Sequence, residues 1–201
     1  MTPSLQNITK KFILLVAALL LNACASSPVI RVNTDKNADF SAYHTYGFID
    51  PLGTDKAGYT TLITKYLKQA VSQELEKRGY VFSTKPDLLV NFYTRLENRT
   101  YLMAAPTPVY YGGYYDYRFG AYAPFPRYVY RPYSYSYQEG TVNVDIVDAQ
   151  KNQMVWEGIA MNEVDSKDLD NPQQAFSKAI SAIFSSYPYR AGSAIPVTGN
   201  K

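Results

Sequence analysis

The 201-residue chain has one cysteine, one histidine and one tryptophan. A single cysteine excludes an internal disulfide and a thiolate zinc cluster. With His44 alone, a histidine-based triad or zinc site is hard to build, so His44 is expected to be a structural or surface residue. Charge of one sign is also scarce. Twenty basic and 17 acidic residues leave a formal charge of +3. That balance gives no support for nucleic-acid binding, which normally needs a clustered basic face. There is no phosphate-cradling glycine loop and no nucleophile elbow. Long apolar runs are missing too. Phe12 to Leu21 (FILLVAALLL) is only ten residues, roughly 15 Å as a helix against a hydrocarbon core of about 30 Å.

What that run does fit is the apolar stretch of an export signal, with Lys10 and Lys11 before it and Ala23, Cys24, Ala25 and Ser26 after it. The order Leu21-Asn22-Ala23-Cys24 resembles the bacterial lipobox, with Asn22 departing from the usual small or branched residue. The resemblance implies that a diacylglycerol joins the Cys24 thiol, that residues 1–23 are removed, and that the new amine is acylated. The other reading is an ordinary signal peptide cut near Ala25. Acyl chains such as palmitate contribute about 0.8 kcal/mol per buried CH₂, and two or three of them anchor a protein stably. Losing residues 1–23 removes two basic residues and no acidic one, so the net charge falls to +1. The absence of Asp at position 25 resembles outer-membrane sorting. Residues 24–28 then form a short tether, because four extended residues reach only about 14 Å.

The mature chain is expected to hold one domain over residues 29–187 and a flexible tail over 188–201. Val29 to Asn33 and Thr45 to Ile49 look like strands, and residues 50–58 are turn-rich. Leu62, Ile63, Tyr66, Leu67, Ala70, Val71 and Leu75 form an apolar stripe on a helix predicted over Tyr59 to Arg78. Gly79 and Tyr80 suit a Schellman stop. Val81 and Phe82 open a strand, and Leu88 to Tyr93 reads as a buried one. Between Glu139 and Val147, Val142, Val144 and Ile146 alternate with Thr141, Asn143 and Asp145. After the turn at residues 148–152 a strand returns around Trp156, expected to be a core anchor. Asn171, Pro172 and Gln174 mark the start of a second helix, with a stripe of Phe176, Ala179, Ile180 and Ile183. This order predicts an α+β two-layer sandwich, with a mostly antiparallel sheet and two amphipathic helices on one face.

Residues 101–137 interrupt the pattern with 12 of the 20 tyrosines and five prolines. Proline with Gly112, Gly113 and Gly120 argues against a helix, and the segment reads as a long insert. It is a loose excursion, a binding surface for glycan or protein, or a segment adsorbed at the bilayer interface. As a binding surface it would use Tyr110, Tyr111, Tyr114, Tyr115, Arg118, Arg127, Tyr128, Tyr130 and Arg131. No metal site or cofactor is expected, and Asp145 and Asp148 should face different ways. Glu97, Glu139, Asp145 and Glu157 lie on or near strands and keep open a carboxylate-based glycan-cleaving enzyme.

Four stretches carry a family resemblance: DFSAYHTYGF (39–48), ELEKRGY (74–80) leading to PDLLVNFY (86–93), GTVNVDIVDAQKNQMVWEGIA (140–160), and the closing helix. Together they resemble the bacterial lipoprotein family known as domain of unknown function 4136. The resemblance implies a small envelope domain without an assigned activity, and no catalytic residues come with it. The functional expectation is a membrane-anchored envelope lipoprotein, in the outer membrane and facing the periplasm. It would have a non-enzymatic binding or structural role, with peptidoglycan, glycan or an envelope protein as partner.

Overall fold

The computed structural model describes residues 28–193. Cys24, residues 1–23 expected to form an export signal, residues 25–27 of the expected tether and the last part of the expected tail, 194–201, lie outside the described residues.

Six strands form one mixed sheet: β1 (Val29–Thr34), β2 (Thr45–Phe48), β3 (Val81–Phe82), β4 (Leu88–Asp116), β5 (Ala121–Asp148) and β6 (Gln153–Glu163). They lie in the order β1-β6-β5-β4-β2-β3. The pairs β1–β6, β6–β5 and β5–β4 are antiparallel, whereas β2 runs parallel to both β3 and β4. The expected antiparallel character therefore holds for one side of the sheet only. Helix α1 (Leu62–Glu76) explains the other side. It returns the chain to the end where β2 began, so β3 must run beside β2 in the same direction.

Thr61 caps α1, accepting the Thr64 N–H at 3.1 Å. Leu67, Ala70, Val71 and Leu75 of the predicted stripe are buried, but Leu62 and Ile63 are exposed. In the first turn Thr64 is buried instead. Its hydroxyl lies 2.7 Å from that of Thr54 and donates to Asp55 at 2.8 Å, which ties the helix start to the preceding turn. At the other end Tyr80 N–H bonds to Leu75 C=O and Gly79 N–H to Glu76 C=O, the Schellman pair. Gly79 has φ +87°, a backbone region where only glycine sits without strain.

The start of the C-terminal helix, α3 (Pro172–Phe184), departs from expectation. Asn171 makes no side-chain cap bond. Its backbone N–H instead closes a short extra helix, α2 (Ser166–Asp170), which Asp165 and Asp168 cap reciprocally.

The core gathers Leu88, Val90 and Phe92 of β4, Val142, Val144 and Ile146 of β5, and the helix residues Leu67, Val71, Ile180 and Ile183. Trp156 is 1% exposed and meets Tyr187 edge-on at 5.0 Å, as a core anchor should. Residues 188–193, expected to be loose, are packed. Tyr189 stacks on Phe40 at 3.5 Å, and Gly192 N–H donates to Tyr43 C=O at 2.9 Å.

The largest difference concerns residues 101–137. They are not an irregular loop but the outer halves of β4 and β5, paired from Asn98–Gln138 out to Asp116–Ala121. Beyond Glu139–Glu163 no third strand accompanies them among the described residues. Nineteen residues at about 3.3 Å each give a two-stranded ribbon of roughly 60 Å.

Candidate functional site

The core-facing residues at the base of β4 and β5 hold the ribbon at its root. From Asn98 to Gln138 no residue is buried. The antiparallel register divides the ribbon into two faces, because alternate residues share a side and opposed residues share it too.

One face is charged and aromatic. At its root Glu97, Glu139 and Glu163 lie directly opposite one another on three strands. Arg99 bridges Glu97 and Glu139, at 2.9 Å to each, and Arg95 pairs with Glu97. Hydrogen bonding to Glu139 and the nearby carboxylates raise the Arg99 guanidinium's affinity for its proton. Next come Tyr101, Tyr135 and Tyr137. Tyr101 and Tyr137 stack at 5.7 Å, Tyr135 and Tyr137 at 5.9 Å. The Tyr135 hydroxyl donates to Glu163 at 2.9 Å, which raises its ionisation range. The hydrogen bond between the Tyr137 and Tyr101 hydroxyls pushes Tyr137 up to about 12, with burial and Glu139 adding to it. The Tyr135 and Tyr137 phenols are therefore neutral at physiological pH. Farther out this face carries Arg127 and Arg131, opposite Val109 and Ala105.

The other face holds no charge. It carries Leu96, Leu102, Pro106, Pro108 and Tyr110 on β4, and Pro126, Tyr128, Tyr130 and Pro132 on β5. Leu102 is 82% exposed and Tyr130 72%. Toward the tip the register shifts between Tyr110 and Gly113, where Gly112 has φ +70° and Tyr111 bulges out. The turn holds Tyr117, Arg118, Phe119 and Gly120, with the Arg118 N–H on Asp116 at 2.9 Å.

The structure thus brings Arg127 and Arg131 to one face and Tyr110, Tyr128 and Tyr130 to the other. Tyr111, Tyr114, Tyr115 and Arg118 gather toward the tip. The sequence-based choice of site residues omitted Tyr101, Tyr133, Tyr135 and Tyr137. Their signal was available in YSYSYQE (133–139), which alternates with strand period.

The candidate carboxylates fall into two pairs. Glu97 and Glu139 are the arginine-bridged pair at the ribbon root. Asp145 and Glu157 face each other in register, within a polar row Asn33–Glu157–Asp145–Asn91 that crosses four strands on the face opposite the core. Asn33 donates to Glu157 at 2.8 Å and Asn143 at 3.3 Å, while Asn91 accepts the Gly53 N–H at 3.0 Å. Burial, then the Glu157 charge, pushes the Asp145 carboxyl above its usual range. Asp148 points to the core side and accepts from the Tyr43 hydroxyl at 2.8 Å. His44 sits under Gly192, its backbone N–H on Asp87 at 2.9 Å. Among the described residues no group of three His, Cys, Asp or Glu side chains is placed to hold a metal ion, and no helix is long and apolar enough to cross a membrane. Two shallow polar depressions lie by the helices, at Gln73, Gln173 and Ser177, and no ribbon residue lines them.

A profile of the family described as a domain of unknown function, DUF4136, matches residues 30–189. The chain belongs to the DUF4136 family. The fold agrees with that of a DUF4136 family protein from Bacteroides thetaiotaomicron, at 14% identity and TM-score 0.50, covering 84% of this chain and all of that one. Weaker likenesses join it to a PDZ domain protein from Parabacteroides distasonis (16% identity, TM-score 0.47, 88% of this chain) and to the PelC dodecamer from Paraburkholderia phytofirmans (10% identity, TM-score 0.42, 82% of this chain and 99% of that one). The DUF4136 chain spans 40% of the length of the PDZ domain protein. The sequence matches no curated protein.

Proposed function

We propose that this DUF4136 chain is a membrane-anchored envelope lipoprotein of the outer membrane, facing the periplasm and held by acyl chains on Cys24. Its role is binding or structural support without catalysis, and the ribbon of residues 98–138 is its contact surface. The observation that carries the reading is the exposure of so many aromatic side chains on an arm outside the core. The domain behind the arm is a two-layer sandwich. Support for that comes from Leu67, Val71, Ile180 and Ile183 sharing one core with Val90, Phe92, Val144 and Ile146.

One observation favours a second reading. Asp145 and Glu157 are opposed carboxylates, and Asp145 holds its proton to higher pH than usual, as the acid of a glycan-cleaving pair would need. Against it, both Glu157 oxygens are held by asparagines, and the pair lies on a strand face rather than in a cleft. Two measurements test the proposal. Mass spectrometry of the protein isolated from its host membrane should find Cys24 as the acylated first residue. Muropeptides and envelope glycans added to the protein should shift NMR signals of the ribbon without being cut. A start after residue 24, or cleavage abolished by Asp145→Asn or Glu157→Gln, would overturn it.

A further inference from the structure

The register of the ribbon shows something the composition does not. All five of its prolines, Pro106, Pro108, Pro124, Pro126 and Pro132, sit at even positions. In an antiparallel pair, opposed residues alternate between pairs that exchange ladder hydrogen bonds and pairs whose backbone groups point outward. Proline cannot donate to the ladder, so the even pairs are the outward-pointing ones. Each proline therefore deletes an N–H that would otherwise project from a ribbon edge. The same even positions carry the uncharged Leu, Tyr and Pro face, whereas Arg127 and Arg131 are at odd positions on the other.

Three consequences select one occupant. First, a two-stranded hairpin with both faces exposed is marginally stable alone in water, so this arm gains from lying against a surface. Second, edges interrupted by five missing donors pair less readily with a strand of another copy of the chain. They also leave fewer backbone groups to dehydrate against an apolar medium, where each unsatisfied group costs free energy. Third, the arm between residues 101 and 137 has three arginines and a single acid, Asp116, so its charge complements an anionic surface. Tyrosine favours the bilayer–water boundary, where its ring meets acyl chains and its hydroxyl meets water.

We infer that the ribbon is an interfacial arm that lies on an anionic lipid surface. Its uncharged Leu102, Tyr128 and Tyr130 face turns toward the acyl chains, and Arg118, Arg127 and Arg131 reach headgroup phosphates. It is the strand counterpart of an interfacial amphipathic helix. The inference deepens the proposed contact role and rests on the chain being at a membrane.

The test uses the full chain purified from membranes and placed in vesicles of phosphatidylcholine, with or without phosphatidylglycerol. Tryptophan is introduced as Tyr130→Trp on the uncharged face or Tyr133→Trp on the charged face, and lipids brominated in the acyl region quench it. Trp156 is buried in the core and contributes a common background. At least twofold stronger quenching is expected at position 130 than at 133 in phosphatidylglycerol vesicles. Arg127→Ala with Arg131→Ala should reduce the quenching at 130 severalfold. The unsubstituted chain gives a second reading: anionic vesicles should slow nitration of Tyr128 and Tyr130 more than that of Tyr133 and Tyr135. Equal or absent quenching at both positions, together with unchanged nitration, would overturn the inference. So would ribbon-to-ribbon crosslinks formed without lipid. A chain acylated at Cys24 but unquenched defeats the arm alone, and a quenched chain without acylation defeats the anchor alone.

Discussion

Gly158 offers a sharp test of how the core is built. A methyl group there would stand 2.3 Å from Cη2 of Trp156, 2.4 Å from Cγ2 of Ile183 and 2.8 Å from Cζ3 of Trp156. Carbon atoms rest at about 3.5–4.0 Å, so the neighbours would have to retreat by more than about 1 Å. Neither has space to do so, since Trp156 is 1% exposed and Ile183 fully buried. Trp156 is also held by Tyr187 and Phe184 on its ring faces and edges. Overpacking typically costs about 1–3 kcal/mol, and two rigid neighbours put Gly158→Ala at the upper end, about 3 kcal/mol. In a domain of this size each kcal/mol moves Tm by roughly 2–4 °C, so a fall of roughly 6–12 °C is expected in a thermal scan followed by circular dichroism. Trp156→Phe removes the two indole atoms involved. The double variant should therefore lose at least about 1 kcal/mol less than the sum of the single changes, measured by urea denaturation. A Tm within about 2 °C of the parent for Gly158→Ala, or strict additivity in the double variant, would refute the reasoning.

Two further predictions concern buried charge. Asp145 faces Glu157 across strands, and like charges so placed are destabilising by up to about 1 kcal/mol. Asp145→Asn should thus raise the urea midpoint at pH 7, and the gain should shrink as pH falls through the raised Asp145 value, where the parent loses the same charge; a lowered midpoint at pH 7 would contradict this. Asp87 and Asp148 behave oppositely. Burial disfavours their charge. Even so, the N–H groups of His44 and Thr45 and the Thr45 hydroxyl hold Asp87 below the usual range. The turn amides of Lys151 and Gln150, the Tyr43 hydroxyl and the Lys151 ammonium do the same for Asp148. Their contribution is complete above the unfolded carboxylate value of about 3.9 and disappears as pH drops through the depressed folded values. The urea midpoint should therefore fall steeply below about pH 4. A steep fall already between pH 6 and 5 would show that other groups control acid stability.

Much of the domain was legible before the fold was known. Val142, Val144 and Ile146 alternate in the sequence and are buried in the structure, because a strand with one face on a core must repeat every second residue. Gly79 marked the end of α1, because the positive φ of that turn suits few other residues. Other features were not legible. Asn171 looked like a cap, but the short helix α2 before it holds its backbone in another conformation. Residues 101–137 looked like a loop because proline and glycine are local signals against regular structure. Their pairing depends on partners up to about 40 residues away, which no local signal contains.

Local pattern was thus enough to determine most of the elements outside residues 98–138 and most of the core, and the resemblance of short motifs was enough to point to the family. Each of those depends on residues close in sequence. Tertiary structure alone decided that β2 lies parallel to its neighbours and that Asp145 meets Glu157. It also decided that prolines and arginines twenty residues apart sort onto opposite faces of one ribbon. Register produces these relations, and register is set by how two distant strands align rather than by either strand's own residues.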